Sequence, residues 1–213
     1  MSFFENTRNP VGLGGKIMVA LMNLGHSPVA RWGLRFLELT SDAKVLDCGC
    51  GGGANIKRLL KLCPKGTVRG IDYSPVSVEK SKRVNKAAVA RGRCDVLCAS
   101  VAELPFESEQ FDLVTAFETV YFWPDLPRCF CEVGRVLKDD GVLIAPTFTH
   151  AGNSFSGKVR AFFMKLAGFP LHSRWTSEEY LTFLRQNGWT VRKSVVLKAS
   201  FPLTYTECVK SEV

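Results

Sequence analysis

The sequence predicts a Rossmann-like, doubly wound α/β fold, and three observations carry that prediction. Short β-rich runs alternate with helical patterns from about residue 44 onward, as βαβ units on a mostly parallel sheet require. The first of those runs leads straight into a glycine-rich turn and a helix. Two β-rich runs with no helix between them close the chain, which is the pattern of an antiparallel edge hairpin. With 213 residues, 46% of them apolar, the chain can bury one substantial core but is short for two ordinary domains. A single domain over residues 1–213 is expected, built on a seven-stranded sheet. Its parts are an N-terminal helical lid (1–40), a central core (41–145), a cap inserted after the fifth strand (146–175), and a closing helix with edge strands (176–213).

Each element follows from local chemistry. Ahead of the core, Val11 to Gly25 is apolar but interrupted by glycines, Lys16 and Asn23, and is too short to cross a bilayer; an amphipathic helix is expected there, not a targeting segment. Lys44 to Cys48 reads as the first strand. The helix after it places Ile56, Leu59, Leu60 and Cys63 on one face, and Pro64-Lys65-Gly66 stops it. Thr67 to Ile71 is a second strand. Ser74 then caps a helix with Pro75 at its first position, expected to reach about Arg91. Cys94 to Ala99 and Phe111 to Phe117 are the third and fourth strands, and Asp125 caps a helix ending near Leu137. Asp140-Gly141 turns into a fifth strand, Val142 to Ala145. Thr176 and Glu179 form a capping box for a helix that Asn187-Gly188 ends. Thr190 to Leu197 and Leu203 to Val209 form the hairpin.

Composition narrows the function. The eight cysteines lack the spacing of a disulfide framework and lie in apolar runs, so reduced buried thiols and a cytoplasmic location are expected. With His26, His150 and His172 the only histidines, no zinc-type cluster is expected, and no metal. A net charge of +8 favours anionic encounters without choosing among nucleic acid, anionic lipid surfaces and acidic small molecules. The densest basic run, Lys80 to Arg93, falls on and after a predicted helix, where a solvated face is the usual reason, and no RNA-binding module accompanies it.

The segment Val45-Leu46-Asp47-Cys48-Gly49-Cys50-Gly51-Gly52-Gly53 carries the chemistry. Glycines let a backbone approach a ligand closely. Gly49 and Gly51 alone also fit a dinucleotide fingerprint, but Asp47, two residues before the first glycine, welcomes a cationic amine and repels a pyrophosphate. Asp72, at the end of the next strand, is placed to accept hydrogen bonds from ribose hydroxyls. Further on come Ala102-Glu103-Leu104-Pro105-Phe106, then Phe111-Asp112-Leu113-Val114, then Glu132-x-x-Arg135-Val136-Leu137-Lys138 with Gly141.

In this order and spacing, the motifs make the chain resemble the class I S-adenosylmethionine-dependent methyltransferases over residues 40 to 145. The likeness is greatest to the small-molecule branch that includes the ubiquinone and menaquinone methyltransferases. The resemblance implies S-adenosylmethionine as cofactor, S-adenosylhomocysteine as product and no metal. It implies Gly49 and Gly51 under the methionine and ribose, Asp47 near the amino group, Asp72 on the ribose and Tyr73 on the adenine. Ser100 and Val101 would meet the adenine edge, and Phe117 would border the methionine end. Ser100 stands where relatives commonly carry an acid. On the acceptor side, Glu118, Tyr121 and His150 are candidate catalytic residues, with Trp123 and His26 as further acceptor-side candidates. Aromatics from Tyr121 to Trp175 suit a hydrophobic or aromatic small-molecule acceptor. RNA or a lipid headgroup as acceptor, and a nonenzymatic cofactor-binding role, are the competing readings; a dehydrogenase is disfavoured by Asp47.

Overall fold

The computed structural model describes residues 27–149, 175–197 and 202–211, with Gly12 alone ahead of them. Eight strands form one sheet: β1 (Lys44–Cys48), β2 (Thr67–Asp72), β3 (Cys94–Cys98), β4 (Phe111–Thr115), β5 (Leu137–Ile144), β6 (Thr147–Phe148), β7 (Trp189–Leu197) and β8 (Leu203–Lys210). Their order is β3-β2-β1-β4-β5-β8-β6, with β7 paired to the other edge of β8. The first five strands run parallel, and β8 is antiparallel to β5, β6 and β7. The eighth strand beyond the expected seven is β6. Its two residues pair with Thr204 and Leu203 and so continue the line of β5 along the same edge of β8.

Strand alternation sorts the core into two layers. On β1, Val45 faces one cluster with Ile56, Leu59, Val68 and Tyr205, while Leu46 and Cys48 face the other with Phe130, Val133, Tyr180 and Trp189. Burial on both faces is why the central strands carry apolar residues at consecutive positions, Val45-Leu46 on β1 and Leu113-Val114 on β4. The first layer is covered by α1 (Ser27–Gly33), α2 (Ala54–Leu62), α3 (Pro75–Val84) and α4 (Lys86–Ala90). The second is covered by α5 (Leu126–Val136) and α6 (Ser177–Gln186). Trp32 and Phe36 follow α1 onto Tyr205 of β8, with ring centroids 6.1 and 4.9 Å away.

Caps behave as the residues require. Ser74 accepts from the Ser77 amide, Asp125 from the Arg128 amide, and Thr176 and Glu179 close a reciprocal capping box. Two boundaries differ from expectation. The helix after Ser74 breaks at Asn85, whose buried side chain donates to the carbonyls of Gly53 and Ser81, both at 3.0 Å; that amide ties the helix to the glycine turn at the cost of helical backbone. The fifth strand starts at Leu137, not Val142, because Lys138 to Gly141 bulge out between the pairings Leu137↔Phe111 and Val142↔Leu113. Lys138 in that bulge donates to Asp112 at 2.5 Å.

The family-like motifs of the middle of the chain are structural. Glu132 on α5 accepts from the Leu104 amide at 2.8 Å and from Arg135, and Arg135 donates to the carbonyls of Leu104 (3.0 Å) and Phe106 (2.8 Å). The pair thus fixes the Leu104-Pro105-Phe106 segment to α5. Arg93, the last member of the basic run, is likewise turned inward: its guanidinium donates to the carbonyls of Leu60, Cys63 and Gly66 at 3.1, 2.6 and 3.0 Å. It therefore satisfies acceptors that the end of α2 leaves without helical partners. Arg93→Ala is expected to lower unfolding stability by about 2–4 kcal/mol in urea titration. Substituting the exposed Arg91 is expected to change stability by less than about 0.5 kcal/mol.

Candidate cofactor site

The site forms where the carboxyl ends of β1, β2 and β4 meet, at the edge of the sheet that open α/β folds use for ligands. The glycine turn after β1 is folded back on the neighbouring strand. The amides of Gly49 and Cys50 both donate to the Ile71 carbonyl at 2.9 Å, and the Gly51 amide donates to Asp72 Oδ2 at 2.8 Å. Those three N–H groups are engaged within the protein, so they are not the phosphate cradle of a dinucleotide fold. Carboxylates take the prominent place instead.

Asp47 is buried, at 1% exposure. Its Oδ1 accepts from the Thr115 hydroxyl at 2.7 Å, while among the described residues its Oδ2 has no partner. Burial pushes its carboxyl up to about 7; the Thr115 hydrogen bond opposes the rise and the nearby charge of Asp72 adds to it. Asp72, about twenty residues on, accepts from the Ser74 amide at 2.9 Å as well as from Gly51. Burial raises its carboxyl too, and the Ser74, Gly51 and Ser77 hydrogen bonds hold that rise back. Those three donors leave the carboxylate one of its about four acceptor positions for a further donor. A buried carboxylate oxygen with no partner beside an open glycine turn fits a ligand that brings a cation and hydroxyl donors, which is the donor set of S-adenosylmethionine.

The other expected residues fall in distinct surroundings. Tyr73 is 62% exposed beside Asp72. Ser100 accepts from the Ala102 amide at 3.2 Å, so its O–H remains to donate. The Val101 side chain lies in the core among Leu104, Phe111 and Trp123. Phe117 is buried, packed under Gly33 of α1 and near Pro146. Glu118 is 3% exposed and holds the left-handed backbone at φ +57°, a conformation sparsely used by residues other than glycine. Burial and the Glu118 charge push the Tyr121 phenol well above its ordinary range. His150 and His26 lie outside the described residues, as do most of the expected lid and cap.

Two residues were missed by reading the sequence. Thr115 reaches Asp47 because β1 and β4 pair in the register Asp47↔Thr115, and Thr119 packs against Gly49 while donating to the Cys48 carbonyl at 3.1 Å. Both lie about seventy residues from their partners, so no local pattern points to them. All eight cysteines are free, six of them buried. Among the described residues no group of three metal-ligating side chains assembles, and no helix is long and apolar enough to cross a membrane.

The strand order and the carboxylate-flanked turn define a nucleoside-binding α/β domain. Residues 46–145 match the family model described as a methyltransferase domain. Over 95 residues the chain is 35% identical to cycloartenol-C-24-methyltransferase 1 of Oryza sativa subsp. japonica, covering 45% of this chain and 27% of that protein. Over 114 residues it is 31% identical to malonyl-[acyl-carrier protein] O-methyltransferase of Legionella pneumophila, covering 54% of this chain and 39% of that one. The chain thus spans well under half the length of these curated relatives. In fold it is similar to an S-adenosylmethionine-dependent methyltransferase from Aquifex aeolicus, with a TM-score of 0.72 at 16% identity, over 91% of this chain and 98% of that one. Residues 46–145 thus carry a methyltransferase domain, on a fold similar to that of S-adenosylmethionine-dependent methyltransferases.

The glycine turn separates packing from binding. A Cβ at Gly49 would lie 2.5 Å from Thr119 at φ +72°, whereas a Cβ at Gly51 meets nothing within 4 Å at φ +51°. Gly49→Ala is expected to destabilise the fold by about 2–4 kcal/mol, and Gly51→Ala by about 1–2 kcal/mol. Despite its milder effect on melting, Gly51→Ala is expected to weaken S-adenosylhomocysteine at least about tenfold in calorimetric titration.

Proposed function

We propose that the chain transfers the methyl group of S-adenosylmethionine to a small, apolar acceptor by in-line displacement. The observation that carries this reading is the unpartnered, buried Oδ2 of Asp47 beside the open face of Gly51. When bound, S-adenosylmethionine supplies an electrophilic methyl on a sulfonium whose positive charge is lost on transfer. In this reading Asp47 receives the amino group, Asp72 the ribose hydroxyls, and Tyr73 and Ser100 the base, while Gly49, Gly51, Val101 and Phe117 shape the cofactor's bed. The protein's share of the work is alignment and the exclusion of water, since no covalent protein intermediate is needed.

The acceptor side is assigned to the segment after β4. Tyr121 packs on Phe122 and Phe148, with ring centroids 4.5 and 6.3 Å away, and these rings supply apolar surface. Tyr121 keeps its proton, so its role is that of a hydrogen-bond donor, and Glu118 is the group assigned to take a proton from an acceptor that must lose one. His150 is a second basic group proposed for this side. A sterol is the acceptor named for the rice relative, which supports an apolar acceptor here. The RNA and lipid-headgroup reading loses part of its support because Lys82, Arg83 and Arg93 are engaged with Asp95, Glu79 and backbone carbonyls.

Two measurements test the proposal. S-adenosylhomocysteine is expected to bind in the micromolar range and NAD not at all, with Asp72→Asn weakening the former at least about tenfold, the scale of lost charge-assisted hydrogen bonds. Transfer of a labelled methyl group is expected to sterol or isoprenoid acceptors; labelling of RNA or phospholipid headgroups alone, or of no acceptor while cofactor binds, overturns the acceptor assignment.

A further inference from the structure

At Asp47 geometry and chemistry disagree. A carboxyl at 1% exposure keeps one oxygen bonded and the other without a partner. Among the described residues, the charged groups and thiols around it supply no compensating cation. Asp72 on β2 is a second carboxylate, Cys48 and Cys50 on the same strand and turn are thiols whose ionisation burial strongly opposes, and Thr115 on β4 is neutral. An ionised Asp47 in that setting is poorly compensated until a cation arrives.

We propose that a ligand ammonium group entering beside Asp47 expels a proton from it to solvent, and that Thr115 is the positioning residue that leaves Oδ2 as the oxygen where this exchange takes place. The step balances simply: the carboxyl O–H breaks, the proton leaves to water, and the carboxylate pairs with the ammonium. Thr115 acts through Asp47. By holding Oδ1 with a 2.7 Å hydrogen bond it favours the charged form and leaves Oδ2 as the oxygen with both lone pairs open among the described residues. The inference rests on the cofactor reading above, since it needs a ligand amine at this place. Its direction follows from the raised carboxyl, which reaches about 7. Below that pH the free site carries the proton and binding must release it; above it the site is already charged and nothing is released.

Titration calorimetry of the full chain with S-adenosylhomocysteine, repeated in phosphate, HEPES and Tris, reads the proton directly from the dependence of heat on buffer ionisation enthalpy. About half a proton is expected to be released at pH 7, more at pH 6, and about a tenth at pH 8, as a group titrating near 7 requires. Methylthioadenosine, which has the nucleoside without the amino acid, is expected to release none. Thr115→Val is expected to move the release curve to higher pH and to weaken S-adenosylhomocysteine at pH 7 by about fivefold or more, with Thr115→Ser restoring both. A purely structural role for Thr115 would change affinity without moving the release curve. Binding with no buffer dependence between pH 6 and 8 overturns the proton exchange, and an unmoved curve in Thr115→Val overturns the positioning role of Thr115. Failure of the folded wild-type chain to bind S-adenosylhomocysteine overturns the cofactor reading and this inference together.

Discussion

The structure is organised around a buried carboxylate that the protein itself only half satisfies. Asp47 lies at the carboxyl end of the central strand, with Thr115 of the adjacent strand on one oxygen and no partner among the described residues on the other. Burial of this kind costs several kcal/mol unless a partner is supplied. Everything that keeps Asp47 in place is therefore rigid: parallel pairing of β1 with β2 and β4, a turn whose amides are bonded back to Ile71 and Asp72, and a core on both faces of β1. A local cost held by a well-packed frame is the usual arrangement at binding sites.

The frame itself is fastened by polar and charged side chains, most of them away from the site. Glu132 and Arg135 lock the Leu104–Phe106 segment to α5, Arg93 closes the end of α2, and Asn85 ties α3 to the glycine turn. These groups bond mostly to backbone carbonyls and amides. They therefore specify how loops lie on the sheet, where apolar contacts alone would leave the loops free to slide. A basic run that looks like a binding surface in sequence is in part such a fastening, which is why net charge says little about partners here.

The acceptor side contrasts with the cofactor side. Glu118 holds a left-handed backbone and Tyr121 a phenol whose proton burial secures, directly after the strand that carries Thr115. In the proposed reaction one strand serves both halves: its last residue bonds Asp47, and the turn after it carries the groups proposed for the acceptor. Thr119, packed on Gly49 and bonded to the Cys48 carbonyl, joins the two halves physically.

Local periodicity and turn chemistry sufficed for the strands, the caps at Ser74, Asp125 and Thr176, and the placing of Asp47, Gly49 and Gly51 together at the end of the first strand, because each depends on residues within a few positions of one another. What depended on register did not show. The bulge at Lys138–Gly141, the helix break at Asn85, the inward turn of Arg93 and the hydroxyl of Thr115 on Asp47 all join residues 26 to 68 positions apart. By itself the sequence determined that a carboxylate would stand beside a glycine turn at the end of the first strand. Only the tertiary structure decided that one of its oxygens would be held and the other left bare, since that follows from the strand which happens to lie alongside.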